Sequence, residues 1–226
     1  MQEALSPIRV LPPILEPLAQ RTIQALRRVW ASNPDGFFDY MQDAYVDLVT
    51  PGMDMAAEAG ATYYDLAGGV DAPDLAIVSD PIPEEALRKT ARWALAKGDA
   101  TTGLQMLSGT VPRRLYGAAR ESVRLSAEAE PGARWARVAK ADACGWCRML
   151  ATREAVYSSA KAAVGSGHDD RYHDDCRCLA AAVRPGRRFT PPSYTAQWND
   201  EYEQLTREVG TDPNAIARAW DLKIAA

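Results

Sequence analysis

Cys144-Gly145-Trp146-Cys147 and, downstream, Tyr172-His173-Asp174-Asp175-Cys176-Arg177-Cys178 are the stretches on which the reading of this chain turns. All 4 cysteines of the 226 residues fall in these two stretches. Structural cysteines scattered through a core do not cluster in this way, and in a reducing compartment the pattern points to metal chemistry before a disulfide framework. The first stretch is C-x2-C, a spacing that lets two thiolates converge across a tight turn which Gly145 makes inexpensive. The second is H-x2-C-x-C. Zinc takes four soft or borderline ligands in a tetrahedron, and two knuckles supply two each. The expected ligands are Cys144, Cys147, His173 and one of Cys176 or Cys178. His173 with Cys176 has knuckle spacing, His173 with Cys178 is also allowed, and the sequence does not choose.

The expected site is structural, with one zinc per chain. A catalytic zinc keeps an open position and a general base beside it. The deaminase pattern of H-x-E followed by P-C-x-x-C is absent, since the order is reversed and Ala143 precedes Cys144. H-E-x-x-H, G-x-S-x-G and phosphate-binding glycine loops are also missing from the sequence. The chain therefore reads as a non-enzyme with no small-molecule substrate. A redox C-x2-C is disfavoured because no βαβ pattern surrounds it. His168, in a polar glycine-containing loop, reads as solvated, and Trp146 reads as packing over the metal.

Working outward, the N-terminal part has helical periodicity. Ala19, Ile23, Leu26 and Trp30 place a helix over about Glu16 to Trp30. Asn33-Pro34-Asp35-Gly36 has turn chemistry. A second helix is expected to end before Pro51-Gly52, and a third to run from Met53 to Leu66. Residues 70–82 form a Pro- and Asp-rich connector, and Pro83-Glu84-Glu85 starts another helix. Residues 101–129 read as two helices broken near Gly109, because Gly103, Gly109, Pro112 and Gly117 interrupt them. Arg134 to Lys140 and Leu179 to Val183 read as short strands. Tyr202, Leu205 and Val209 suggest a C-terminal helix. The fold class is α+β: a mostly helical part over 1–130, a small zinc-knuckle α/β domain over 131–186, and a tail with a short helix over 187–226, packed on a neighbour or mobile.

The net charge is −4, which argues against a dedicated nucleic-acid binder. It is unevenly spread: residues 1–82 carry 4 basic and 12 acidic side chains, residues 83–140 carry 11 and 6. A zinc module reading nucleic acid through Arg134, Arg137, Lys140, Arg148 and Arg153 is the rival from another class, and a zinc- or thiol-dependent enzyme is a second. The sequence has no long apolar run that would span a membrane and no signal-peptide pattern at its start, so no membrane partner is expected.

The run Ala141-Asp142-Ala143-Cys144-Gly145-Trp146-Cys147, followed by His173-Asp174-Asp175-Cys176-Arg177-Cys178, resembles the C-terminal domain of the Mu F-like phage head morphogenesis family. There a cysteine knuckle precedes a His-Pro-Asn-Cys-Arg-Cys-like ending. Asp174-Asp175 in place of Pro-Asn resembles the versions in tailed phages of actinobacteria. The specific resemblance spans residues 134–184. It implies a minor capsid protein that works during head assembly beside the portal protein and the major capsid protein. Its place would be inside the virion near the portal, after assembly in the host cytoplasm, with at most weak contact with packaged DNA. The helical part is the expected docking element, from its aromatic residues Trp30, Phe37, Phe38, Tyr40, Tyr45, Tyr63 and Tyr64.

Overall fold

Met41, Tyr45, Val49, Met53, Ala56, Gly60, Tyr63 and Ala67 recur every three or four positions, and all are buried on one face of a single helix, α3 (Phe37–Gly68). The structure, a computed structural model, describes residues 2–32, 37–97, 100–153 and 174–225. The turn expected at Asn33-Pro34-Asp35-Gly36 lies outside them. In chain order the described elements are β1 (Gln2–Glu3), α1 (Pro7–Val10), α2 (Pro12–Ser32), α3, α4 (Glu84–Ala96), α5 (Ala100–Ala129), β2 (Arg134–Val138), α6 (Gly145–Ala151), β3 (Leu179–Val183), β4 (Arg187–Arg188), α7 (Tyr194–Val209) and α8 (Pro213–Ala225). The protein is mostly helical with a small sheet region, as the α+β reading expects.

Two expected breaks are absent. α3 runs through Pro51-Gly52, and α5 runs through Gly103, Gly109, Pro112 and Gly117. The cost of proline inside a helix is local, a lost hydrogen bond and a clash with the preceding turn. Here both helices are held on either side of the proline by packing. The buried α5 residues Leu107, Val111, Leu115, Ala119 and Val123 form a ridge spaced by four, and it lies against the buried face of α3. α2 and α4 pack against the same pair. α2 begins at Pro12 rather than near Glu16, because prolines in a first turn have no helical hydrogen bond to lose.

The glycines explain how closely the two long helices approach. A Cβ on Gly60 would stand 2.3 Å from the carbonyl oxygen of Ala119. At Gly52 the same atom would meet Leu115 and Thr22 side chains at 3.5 Å, an ordinary contact.

The strands join this bundle. β2 and β3 pair antiparallel, with Arg134 opposite Val183 and Val138 opposite Leu179. Trp135, Leu179, Ala180 and Ala182 are buried in the same core as the helices, so apolar packing crosses position 130. β1 pairs parallel with β4, Gln2 with Arg187. Residues 70–82 are the expected connector, but they are bound along their length. The amides of Leu75 and Ala76 donate to Asp65, that of Ile77 to Ser126, and that of Ser79 to Ser122. This gives a reason for two buried serines in the middle of a helix, where serine otherwise competes with the backbone.

Beyond the connector, Arg184 is fully buried. Its Nε donates to Glu130 at 2.8 Å and its Nη2 to the Pro73 carbonyl at 2.7 Å, while its guanidinium sits 5.0 Å over the Tyr64 ring. The Tyr64 hydroxyl donates to the same Glu130 carboxylate. Of the aromatic residues expected to dock a partner, Tyr45, Tyr63 and Tyr64 are therefore core, because α2 and α5 cover the face that a single layer of helices would leave open. Trp30 and Phe37 are half-buried against each other, edge to face at 4.9 Å. Phe38 and Tyr40 remain exposed.

Gly60→Ala is expected to destabilise the fold by about 1–3 kcal/mol through overpacking, although alanine is the better helix former. Gly52→Ala is expected to be neutral or to gain up to about 1 kcal/mol. Urea denaturation of the two variants measures both, and equal effects would contradict the close approach at Ala119.

Candidate metal centre

Cys144 takes extended backbone angles and caps the short helix α6, whose third residue is Cys147. Gly145 is the first residue of that helix, and its role differs from the turn expected of it. Its backbone angle is not in the left-handed region. It is small because α8 lies against it: a Cβ would be 2.4 Å from the Ala217 carbonyl and 2.6 Å from Trp220. The Gly145 amide donates to the Asp221 carboxylate at 2.6 Å. α8 thus fixes the first knuckle by contact and by one charge-assisted hydrogen bond.

The second knuckle is shaped by α5. Asp175 adopts φ 61°, a left-handed angle that aspartate tolerates better than most residues, and its amide donates to the Gly109 carbonyl at 2.8 Å. A Cβ on Gly109 would crowd the Asp174 and Asp175 side chains. Gly109 is thus a docking point on α5, where a break was expected. After Asp175, Cys176 and Cys178 are buried while Arg177 is only half-buried. Arg177 reaches Glu16 on α2 at 3.0 Å. Glu16 sits lower than an ordinary carboxylate: burial opposes this, and the Arg177 charge with the Gln20, Lys140 and Tyr116 contacts outweighs it.

The result is a cluster of sulfurs. Cys147, Cys176 and Cys178 are buried, with Sγ atoms all within 4.8 Å of one another, and the Sγ atoms of Cys147 and Cys176 are 3.9 Å apart. The cysteines are unbridged, and 3.9 Å is about twice a disulfide bond. Both cysteines of the C-x-C are therefore in the cluster. Cys144 interacts with Cys147 but stands outside the group of three sulfurs. His173 and His168 lie outside the described residues.

The thiols are strongly coupled. Cys147 is pushed well above a free thiol, first by its hydrogen bond to Cys144, then by those to Cys176 and Cys178 and by burial. Cys178 gains from its hydrogen bond with Cys147 but is pushed up to about 12 by Cys176, through a hydrogen bond and its charge, and by burial. Cys176 is pushed far down, by the hydrogen bonds from Cys147 and Cys178 with help from Arg120, against burial. Such a cluster sustains one thiolate readily and resists several, unless a cation replaces the protons. Three buried cysteines this close could hold a metal ion.

An apolar shell encloses the group. Met149, Leu150, Trp198, Leu205, Ile216 and Trp220 are buried around it, and Trp146 packs half-buried in the same cluster. Residues 187–226 contribute most of this shell: they form two helices, α7 and α8, that pack on the cysteine region of their own chain. Arg148 braces the approach to Cys144 by donating to the Ala143 and Ala141 carbonyls, with Trp198 stacked under its guanidinium. Asp221 and Arg120, whose Nη1 donates to the Cys178 carbonyl at 2.6 Å, were not legible as site residues. Arg120 carried one sign, a charged residue on the apolar face of a helix. Asp221 carried none.

A family model described as VG15 protein matches residues 10–205 of the chain, a span that takes in all four cysteines and nearly all of the helical core. No curated protein and no solved structure matches it.

Cys147→Ser is expected to abolish bound metal, measured by elemental analysis of protein purified without chelator, and to lower the thermal midpoint. A chelator should do the same to the wild type, and more readily on acidification, because protons then compete for the thiols. A metal-free wild type with an unchanged midpoint would exclude a structural metal.

Proposed function

The chain belongs to the VG15 protein family, a phage-associated family, and on that premise we propose that this phage protein is a structural minor component of the head. In this reading it binds the portal protein or the major capsid protein during head assembly, stays inside the capsid near the portal, and catalyses no reaction. A zinc ion held by ligands drawn from Cys144, Cys147, His173, Cys176 and Cys178 keeps its C-terminal half folded. The observation that carries the reading is the cysteine cluster, joined to a family match over most of the chain.

The donor set suits zinc. Thiolates are soft ligands, and a tetrahedron with zinc–sulfur bonds of about 2.3 Å has edges of about 3.8 Å, close to the 3.9 Å between Cys147 and Cys176. The surrounding side chains support a structural role, since Trp198, Trp220, Leu150 and Ile216 close over the group. Bound there, zinc would cross-link α6 to the start of β3. No described helix is long and apolar enough to cross a membrane.

Exposed aromatic residues at one end of the bundle are candidate docking anchors. Phe38 and Tyr40 on the first turns of α3, and Trp93 on α4, are exposed. Arg92 reaches Gln42, and Arg88 pairs with Asp43, so these turns of the two helices are neighbours. Exposed aromatic residues are the usual anchors of a protein interface.

Mass spectrometry of purified virions should find the protein at a few copies per particle, and the full chain should co-purify with the portal or capsid protein. Tyr40→Glu with Trp93→Glu should weaken that capture at least tenfold while leaving metal content unchanged. A protein abundant in infected cells but absent from heads and virions would overturn the reading.

A further inference from the structure

The connector over residues 70–82 turns large apolar side chains outward from a backbone that is fixed. The amides of Leu75, Ala76, Ile77 and Ser79 all donate to side chains of α3 or α5, so the segment lies between these two helices. Leu75 is nevertheless 43% exposed, Ile77 39% and Val78 43%. Met55 and Leu66 on α3 are more than half exposed. Single exposed apolar side chains are ordinary, but several held together on a rigid support mark an interaction surface.

The charge beside this surface has one sign. Asp47, Asp54, Glu58 and Asp65 follow one another at seven, four and seven positions, so they fall on one line along α3. Asp65, at its end, accepts from the Leu75 and Ala76 amides at 2.8 and 3.0 Å, which sets the connector beside the line. Met55 and Leu66 each follow a member of the line directly. Asp54 and Glu58 are one helical turn apart and repel each other. Neither they nor Asp47 has an ion-pair partner among the described residues. On α4 and α5, by contrast, arginines stand three or four positions from glutamates and pair with them. Between Arg28 and Arg88 the chain has no Lys or Arg against 12 Asp and Glu. A helix that merely solvates itself mixes the two signs, and α3 does not.

We infer that the outer line of α3 and the connector beside it form a docking surface for a basic amphipathic helix of a partner protein. The charge selects this occupant, because the acidic line attracts Lys and Arg and repels nucleic acid. A helix laid along α3 with cations at seven- and four-residue spacing would meet Asp47, Asp54 and Glu58 over about 16 Å. Its apolar face would cover Leu75, Ile77 and Val78. The surface uses none of Phe38, Tyr40, Trp93 or the cysteines, and the inference does not depend on the head-protein reading, so either can fail without the other.

The probe is a fluorescent Lys/Leu peptide with lysines at that spacing, titrated by anisotropy against the full-length protein. The control is a peptide of the same composition scrambled so that no apolar face forms. The ordered peptide should bind at least tenfold tighter than the scrambled one. Asp54→Lys with Glu58→Lys should weaken it at least tenfold, and Leu75→Ser with Ile77→Ser, which leave the charge unchanged, should weaken it comparably. Glu203→Lys with Glu208→Lys on α7, which make the same change in net charge, should leave binding within twofold. If the serine pair fails to fold, as judged by circular dichroism, Val78→Ser with Leu66→Ser takes its place. Equal binding of the two peptides, or equal loss from the two lysine pairs, would reduce the effect to general charge attraction and overturn the inference. A dimer of the wild type in light scattering that the serine pair dissolves would assign the surface to a second copy and overturn it as well.

Discussion

Three hydrogen bonds fasten the later segment to α5 (Ala100–Ala129) and to Glu130 just beyond its end. The Gly109 carbonyl accepts from the Asp175 amide, Arg120 donates to the Cys178 carbonyl, and Glu130 accepts from Arg184. The order along the helix is the order along the later segment. The segment that carries two of the cysteines is therefore laid along the helix. Its far end is fastened by a buried ion pair, and removing one partner of such a pair is far more costly than the pair itself is stabilising.

That arrangement gives the cysteine cluster a rigid floor and leaves the other side to α6, α7 and α8. The cluster lies between two packed bodies: the core of the bundle, which reaches it through Leu179 and Ala180 of β3, and the shell of Trp198, Leu205, Ile216 and Trp220. A metal bound at this point would tie the two together. The three buried sulfurs crowd one another, all within 4.8 Å. The same crowding makes the site a good acceptor for a cation that displaces protons.

The charge pattern has a structural explanation as well as an external one. Of the basic residues in 83–140, Arg120 and Arg137 are buried against the cysteine region, Arg124 lies between Glu121 and Glu128, and Arg88 and Arg92 meet Asp43 and Glu85 on neighbouring turns. The basic middle is in large part consumed by internal partners. The nucleic-acid reading loses Arg137 to burial and ties Lys140 to Glu16 and Arg148 to backbone carbonyls.

The sequence by itself determined the helical character of the first 130 residues, the strand pair 134–138 with 179–183, and the gathering of cysteines, because each of these rests on local periodicity or spacing. It placed the helix stop at Gly68-Gly69 and the start at Pro83-Glu84 correctly but misplaced ends at Pro51-Gly52 and near Gly109, since Pro51 and Pro112 sit in helices whose neighbours hold them, and a propensity is a weak prior against packing. Gly60, Gly109 and Gly145 are small for the sake of a backbone or side chain distant in sequence, which no local pattern encodes. The inclusion of both Cys176 and Cys178 in one cluster, the closing of α7 and α8 over it, and the placing of Arg120 and Asp221 beside it were decided by the tertiary structure alone. They depend on contacts between residues separated by 29 to 76 positions, and only the folded chain brings such residues together.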